Sequence, residues 1–123
     1  MPYSTYAKNK LLDTLRNVSF AVTTTYLSLH SASPGDTGAN EISGGSPAYA
    51  RKSTVWNAAT GGSMDNSDTP VIDVPASTTV THLGVWDAVT AGNFLGYVDI
   101  TDETFTAQGT YTVSDLDLDL NAA

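Results

Sequence analysis

The chain of 123 residues predicts one domain with its own hydrophobic core, and the absence of cysteine excludes disulfides, thiolate metal sites and a cysteine nucleophile. Residues 1–52 hold all five basic residues against three acids, a net +2, whereas residues 53–123 hold ten acids and no Lys or Arg, a net −10. This acidic balance argues against binding to nucleic acid or to an anionic membrane.

The first predicted element is a helix over Ser4 to Asn17, for which Ser4 or Thr5 is a suitable N-cap. Its apolar residues recur at helical spacing: Ala7, Leu11, Leu12 and Leu15. Its basic residues lie mainly on the other sides: Lys8, Lys10 and Arg16. Two roles stay open, a cover over a sheet edge or barrel end, or an arm that docks on a partner through these basic side chains. We expect one domain over 1–123, with a helical docking arm at 1–18 and a β-sandwich at 19–123.

From Val18 the apolar spacing changes to two, which is the period of a β-strand. Proline flanks the run VIDV at both ends, which predicts a short edge strand because proline cannot donate to a central ladder. THLGVWD is the best candidate for a core strand, and FLGYVDI completes a hairpin with it. Strands are predicted at 18–29, 49–57, 71–74, 81–87, 94–100, 104–106, 110–113 and 115–120, with a further short strand inside the turn-rich run ATGGSMDNSDTP. The pattern predicts an all-β fold, an antiparallel β-sandwich or jelly roll with one short N-terminal helix.

The longest turn-rich stretch between strand-like segments runs from His30 to Arg51. Its SGGS run is not followed by the lysine of a phosphate-binding loop, and its acids, Asp36 and Glu41, do not have EF-hand spacing. We interpret this stretch as a structural and contact loop. Asp36, Glu41 and Arg51 are its candidate partner contacts, and an internal pair between either acid and Arg51 stays open as well.

Three aspartates alternate with leucines in the closing run LDLDL, namely Asp115, Asp117 and Asp119. Alternation puts their carboxylates on one strand face, about 7 Å apart. A solvated face that discourages edge-to-edge pairing is the favoured interpretation. The alternative is a calcium site, which would need further oxygen ligands from a neighbouring loop.

No motif in the sequence indicates catalysis or a cofactor. The two histidines, His30 and His82, have no nucleophile elbow of the G-x-S-x-G type near them, and two distant histidines make a poor zinc site. We therefore predict no enzymatic activity, no catalytic residues and no cofactor. The N-terminal run MPYSTYAKNK is not a signal peptide, and no run is long enough to span a membrane, so we expect assembly in a host cytoplasm.

A set of motifs, in order, carries a family resemblance over Leu27–Leu120. The motifs are LSLHSASPGDTGANE, SGGSPAYAR, GGSMDN, THLGVWDA, GNFLG and SDLDLDL. Together they resemble small structural proteins of tailed bacteriophages, of the tail-fibre-like or minor virion kind. Pro47 and Ser114 are small departures from the pattern. The resemblance implies a non-enzymatic β-sandwich that works by assembly on the virion.

The place on the virion is a separate prediction. The chain shows no coiled-coil heptads, collagen-like repeat or long β-repeat of a fibre shaft. We therefore expect a capsid decoration (minor capsid) protein on the capsid surface, which binds the major capsid protein and stabilises or ornaments the shell. The alternative is a tail-fibre or tail-tip component that binds other tail proteins, with receptor or glycan binding. In either place we expect a homo-oligomer, a trimer, with neither nucleic acid nor membrane as a partner.

Overall fold

In a computed structural model, which describes residues 1–120, the chain forms one short helix and eight strands. The helical elements are α1 (Thr5–Asp13) and a 3-10 turn (Thr14–Arg16). The strands are β1 (Thr25–His30), β2 (Lys52–Thr54), β3 (Ser63–Asp65), β4 (Val71–Val74), β5 (Thr78–Trp86), β6 (Phe94–Phe105), β7 (Gly109–Thr112) and β8 (Asp117–Asp119). All strand pairs are antiparallel, so the predicted all-β class with one N-terminal helix is confirmed. Within residues 1–120, no helix is long and apolar enough to cross a bilayer.

The strands form one four-stranded sheet in the order β2-β1-β5-β6 and two ribbons, β3–β8 and β4–β7. VIDV lies in a two-stranded ribbon, as its flanking prolines predict, and THLGVWD lies inside the large sheet. The sheet and both ribbons contribute to one apolar core. Its most deeply buried members are Leu27, Leu29, Ile72, Val74, Val80, Leu83 and Val85.

Strand β1 is buried on both of its faces, because the loop that follows it folds back over the sheet. Leu27 and Leu29 belong to the apolar core. The alternating residues Ser28 and His30 are also fully buried. The edge of β1 beyond β2 is closed by the same loop, where Ile42 N–H donates to Leu29 O at 3.0 Å. The loop at residues 31–51 therefore packs on the sheet as an integral part of the fold.

The predicted strands differ most from the observed ones in two places, and the strand predicted at 49–57 is shorter, at Lys52–Thr54. The strand predicted from Val18 begins at Thr25, because residues 18–24 find no ladder partner; Phe20 and Val22 pack partly buried against the core without pairing. The strands predicted at 94–100 and 104–106 are one strand of 12 residues, β6. A β-bulge between Val80 and His82 interrupts its register, and a bulge breaks the alternation from which strands are predicted.

Candidate contact surfaces

The N-terminal segment is anchored on the edge of the large sheet before the helix begins. Ser4 N–H donates to Leu95 O at 2.9 Å, and the Ser4 hydroxyl donates to Phe94 O at 2.5 Å. The same hydroxyl oxygen accepts the Ala7 N–H at 3.1 Å, so Ser4 is the N-cap that the sequence predicts. This anchoring fixes the position of α1 on the domain.

The apolar face of α1 is largely exposed to solvent. Ala7 is its only buried member, whereas Leu12 is 64% exposed, and Leu15 in the following 3-10 turn is 85% exposed. Leu11 and Val18 are each 37% exposed beside them. An apolar groove of about 220 Å³ adjoins this face, between Leu11 and the side chains of Met64, Leu118 and Leu120. We call the exposed residues Leu11, Leu12, Leu15 and Val18 the helix surface.

The basic residues predicted for partner contact lie on the same segment but differ in their surroundings. Lys8 is exposed, and the Lys10 ammonium lies 5.6 Å from the centre of the Tyr6 ring. Arg16 binds Asp13 one helical turn earlier, at 3.0 Å. Lys8 and Lys10 thus leave two cationic groups beside the helix surface without a carboxylate partner within residues 1–120.

The three loop residues predicted for partner contact make contacts inside the chain. Asp36 accepts the Thr5 N–H at 2.7 Å and the Thr5 hydroxyl at 3.0 Å, and so ties the loop to the start of α1. Glu41 binds Arg51 through two parallel hydrogen bonds of 2.9 Å. The remaining Arg51 nitrogen donates to the carbonyls of Ala88 and Ala91. Contact of these residues with a partner stays a prediction; the geometry shows that they hold the loop on the sheet.

The Glu41 carboxylate is the centre of this network. Burial raises the pKa of this carboxyl group. The hydrogen bonds from Arg51 and Tyr49 lower the pKa by more than burial raises it, so the pKa is below the ordinary value. Tyr49 donates to Glu41 at 2.6 Å and accepts the Leu29 N–H at 3.1 Å. Burial and the Glu41 hydrogen bond raise the pKa of Tyr49 far above its usual range. The ion pair of Glu41 with Arg51 and the neutral Tyr49 hydroxyl therefore hold the loop against β1 and the turn at Ala88 and Ala91.

A buried serine–histidine pair lies beneath the loop. The Ser28 hydroxyl lies 2.6 Å from His30 Nε2, and His30 Nδ1 lies 2.7 Å from Ala39 O. Since a carbonyl only accepts, Nδ1 carries the proton and Nε2 accepts from Ser28, which in turn accepts the Trp86 indole N–H at 2.8 Å. Burial is the main cause that lowers the pKa of His30. Both side chains are fully buried, so this pair is closed to a substrate and is structural.

The predicted row of terminal aspartates is only partly brought together. Asp115 and Asp117 group with Asp65 of β3, with carboxylate oxygens within 4.8 Å of one another, whereas Asp119 is outside this group. Asp65 lies opposite Asp117 in the β3–β8 ribbon, a partner that the sequence pattern did not indicate. Repulsion from Asp115 is the main cause that raises the pKa of Asp117. Calcium binding stays a prediction, with Asp65 now among its possible ligands.

Comparison with known proteins adds one match over nearly the whole chain. The family model described as Gp80, podophage GP4 fiber I protein gp80, matches residues 2–121. No curated protein matches the chain. The matched range includes both α1 and all eight strands, so it covers the helix surface as well as the sheet and ribbons.

Proposed function

This chain belongs to the family of the podophage GP4 fiber I protein gp80, a family of phage virion structural proteins, and on that premise we propose that it is a non-enzymatic component of a virion fibre. We propose further that it binds its neighbour in the particle through the helix surface. The single observation that carries this attachment is the exposure of Leu12 and Leu15 on a helix whose position is fixed.

The helix surface has the composition of a protein contact. Scattered apolar residues are ordinary on a surface, but four on one short segment, beside a groove lined by further apolar side chains, form a patch. Burying one leucine side chain stabilises an interface by about 1.5–3 kcal/mol before the costs of association. Lys8 and Lys10 at its side favour a partner that carries acidic groups.

The family description favours a fibre. One feature of the structure also suits a second place on the virion, the capsid surface. The described fold is a small β domain with a single exposed helical patch, which is also suitable for a decoration protein on the capsid surface bound to the major capsid protein. In either place we propose a homo-oligomer, a trimer, as the assembled unit. Sedimentation of the purified protein tests this state directly.

Particle incorporation tests the proposed attachment. In phage that carry Leu12→Ser together with Leu15→Ser, we expect the protein to fold but to be lost from purified virions. The matched control is Val55→Ser with Val89→Ser, since these valines are 59% and 47% exposed and do not belong to the helix surface. Mass spectrometry gives the copy number per particle, and circular dichroism of the purified variants shows that both pairs fold.

Imaging of labelled wild-type particles distinguishes the two places. Label on fibres supports the proposed function, and symmetric label on the head establishes decoration instead. Normal incorporation of the Leu12/Leu15 variant would contradict the attachment through the helix surface, whichever place the label marks.

A further inference from the structure

Strand β6 forms one end of the four-stranded sheet, and most of its outer edge is open. The N-terminal segment covers only the beginning of this edge: Ser4 N–H donates to Leu95 O, and Tyr97 N–H donates to Pro2 O at 3.1 Å. From Val98 to Phe105, β6 pairs with β5 on one side and receives no backbone hydrogen bond on the other from any residue of 1–120. A β-bulge at residues 100–102, opposite Thr81, interrupts this edge, and the open backbone on either side of the bulge is a template for an added strand.

The covered and open parts of this edge are continuous. Tyr3 pairs antiparallel with Gly96, so a strand that continued this pairing would next run along Asp99 and the residues after it. Backbone groups of alternate residues point to opposite edges of a strand. Because Tyr97 donates outward, Asp99 directs its N–H and C=O to the same open edge.

A groove lies beside the open edge and has room for side chains of an added strand. Its volume is about 270 Å³, and it is lined by residues of β6 and of the segment 111–117, together with Leu83 of β5. Val98, Ile100 and Leu116 contribute apolar surface to it, and Asp115 and Asp117 contribute carboxylates. The apolar part of the groove fits an apolar side chain or the aliphatic stem of a lysine or arginine. The carboxylates fit the cationic head group of such a lysine or arginine.

Charge selects among the possible strands. The open part of β6 carries Asp99, Asp102 and Glu103, and no Lys or Arg lies within 53–120. Edge-to-edge pairing with the same strand of a second copy would place acids against acids, which disfavours that occupant. A strand with basic residues would instead pair with carboxylates at the edge and in the groove.

We propose that the edge of β6 from Val98 to Phe105 binds an extended segment of a partner protein that alternates basic and apolar side chains, as an added antiparallel strand. This surface is separate from the helix surface, so the proposal holds or fails independently of the attachment through α1. Backbone hydrogen bonds hold the added strand on the edge of β6. The groove and its carboxylates determine which side chains the added strand can carry.

Amide hydrogen exchange of the full chain with the acetylated, amidated peptide Lys-Val-Lys-Val-Lys-Val tests the proposal. We expect slower exchange at the outward amides of 98–105, beginning with Asp99. The same peptide with N-methyl groups on its valines should not slow exchange at these amides, because the valine N–H donors along one edge of the peptide strand are then missing. A Glu-Val peptide of equal length should also fail.

A pair of variants tests the contribution of the groove. We expect about fivefold weaker peptide binding for Asp115→Asn with Asp117→Asn, since two exposed ion pairs are lost. The control Asp13→Asn with Asp73→Asn changes the net charge equally and should bind as the wild type does. Protection outside 98–105, binding of the N-methylated or Glu-Val peptide, or equal weakening in both variants would overturn the proposal.

Discussion

The guanidinium carbon of Arg51 lies 3.6 Å from the centre of the Trp86 ring. Arg51 also binds Glu41 through two hydrogen bonds and is only 9% exposed, so its planar group fills a site between an indole face and a carboxylate. A lysine would keep the charge but has no planar group to stack in this way and cannot form two parallel hydrogen bonds with the carboxylate. We expect Arg51→Lys to lower the free energy of unfolding by about 2 kcal/mol.

Urea unfolding followed by tryptophan fluorescence measures this change. The matched control is Arg16→Lys, the same exchange in an exposed ion pair with Asp13, which we expect to change stability by less than about 0.5 kcal/mol. Equal effects of the two exchanges would show that the stacked, bidentate geometry of Arg51 contributes nothing particular.

Glu41 should make the fold sensitive to acid. Its pKa in the folded protein is below the ordinary value of 4.5, so the unfolded chain binds a proton there first as the pH falls. The stability that ionised Glu41 contributes is present above pH 4.5 and is lost as the pH falls through the folded pKa. We expect the melting temperature of Glu41→Gln to be lower than that of the wild type at neutral pH.

The difference between Glu41→Gln and the wild type should shrink as the pH falls below 4.5. Thermal melts of both proteins in a pH series measure this convergence. A constant difference at every pH would mean that the substitution acts through packing rather than through the charge of Glu41.

Gly38 allows the loop to lie on the aromatic side chains of the sheet. Its φ is +78°, and a Cβ there would clash with Trp86 Cζ2 and would lie 2.9 Å from Phe94 Cδ1. Gly35 has a similar φ of +60°, but a Cβ there would meet no atom within 4 Å. We expect Gly35→Ala to cost about 1 kcal/mol of stability, from backbone strain alone, and Gly38→Ala to cost about 3 kcal/mol.

Chemical denaturation of the two alanine variants tests this difference, because each serves as the other's reference. Near-ultraviolet circular dichroism should change in Gly38→Ala, since the Trp86 and Phe94 rings must shift. Equal costs at the two positions would show that the close approach to the rings is relaxed without penalty.

The sequence predicts the strands wherever alternation and turn residues coincide. THLGVWD, which a turn-forming run follows, lies almost entirely in β5, and the proline-flanked VIDV is β4. Prediction failed where alternation came from one-sided packing without a ladder partner, as at Phe20 and Val22. A residue's pairing partner lies elsewhere in the chain, so its absence leaves no local signal.

The predicted contact residues show the same limit. The positions of Glu41 and Arg51 in one loop suggested that they could pair, but their closeness to Trp86 depends on how the loop folds over β5. The exposure of Leu12 and Leu15 could not be predicted either, because the spacing of an apolar helix face is the same whether the partner lies within the chain or outside it.

Asp117 should destabilise the fold while it is ionised. The charge of Asp115 is the main cause that raises its pKa above 3.8, so the folded protein binds a proton more readily than the unfolded chain. Stability contributed by protonation is therefore lost as the pH rises through the folded pKa. We expect Asp117→Asn to have a higher melting temperature than the wild type at pH 7, with a smaller difference in high salt because salt screens exposed charges.

Calcium titration separates this repulsion from the predicted metal site. If Asp65, Asp115 and Asp117 bind calcium, added calcium raises the melting temperature of the wild type through ligand linkage, and a chelator reverses the rise. In the presence of calcium, the Asp117→Asn variant would then no longer have a higher melting temperature than the wild type. The ion neutralises the same charges in the wild type and needs the Asp117 carboxylate as a ligand. A melting temperature that responds to neither calcium nor chelator would leave repulsion as the only effect of the group, and the acids would then be a solvated face that keeps the edge of the ribbon from pairing.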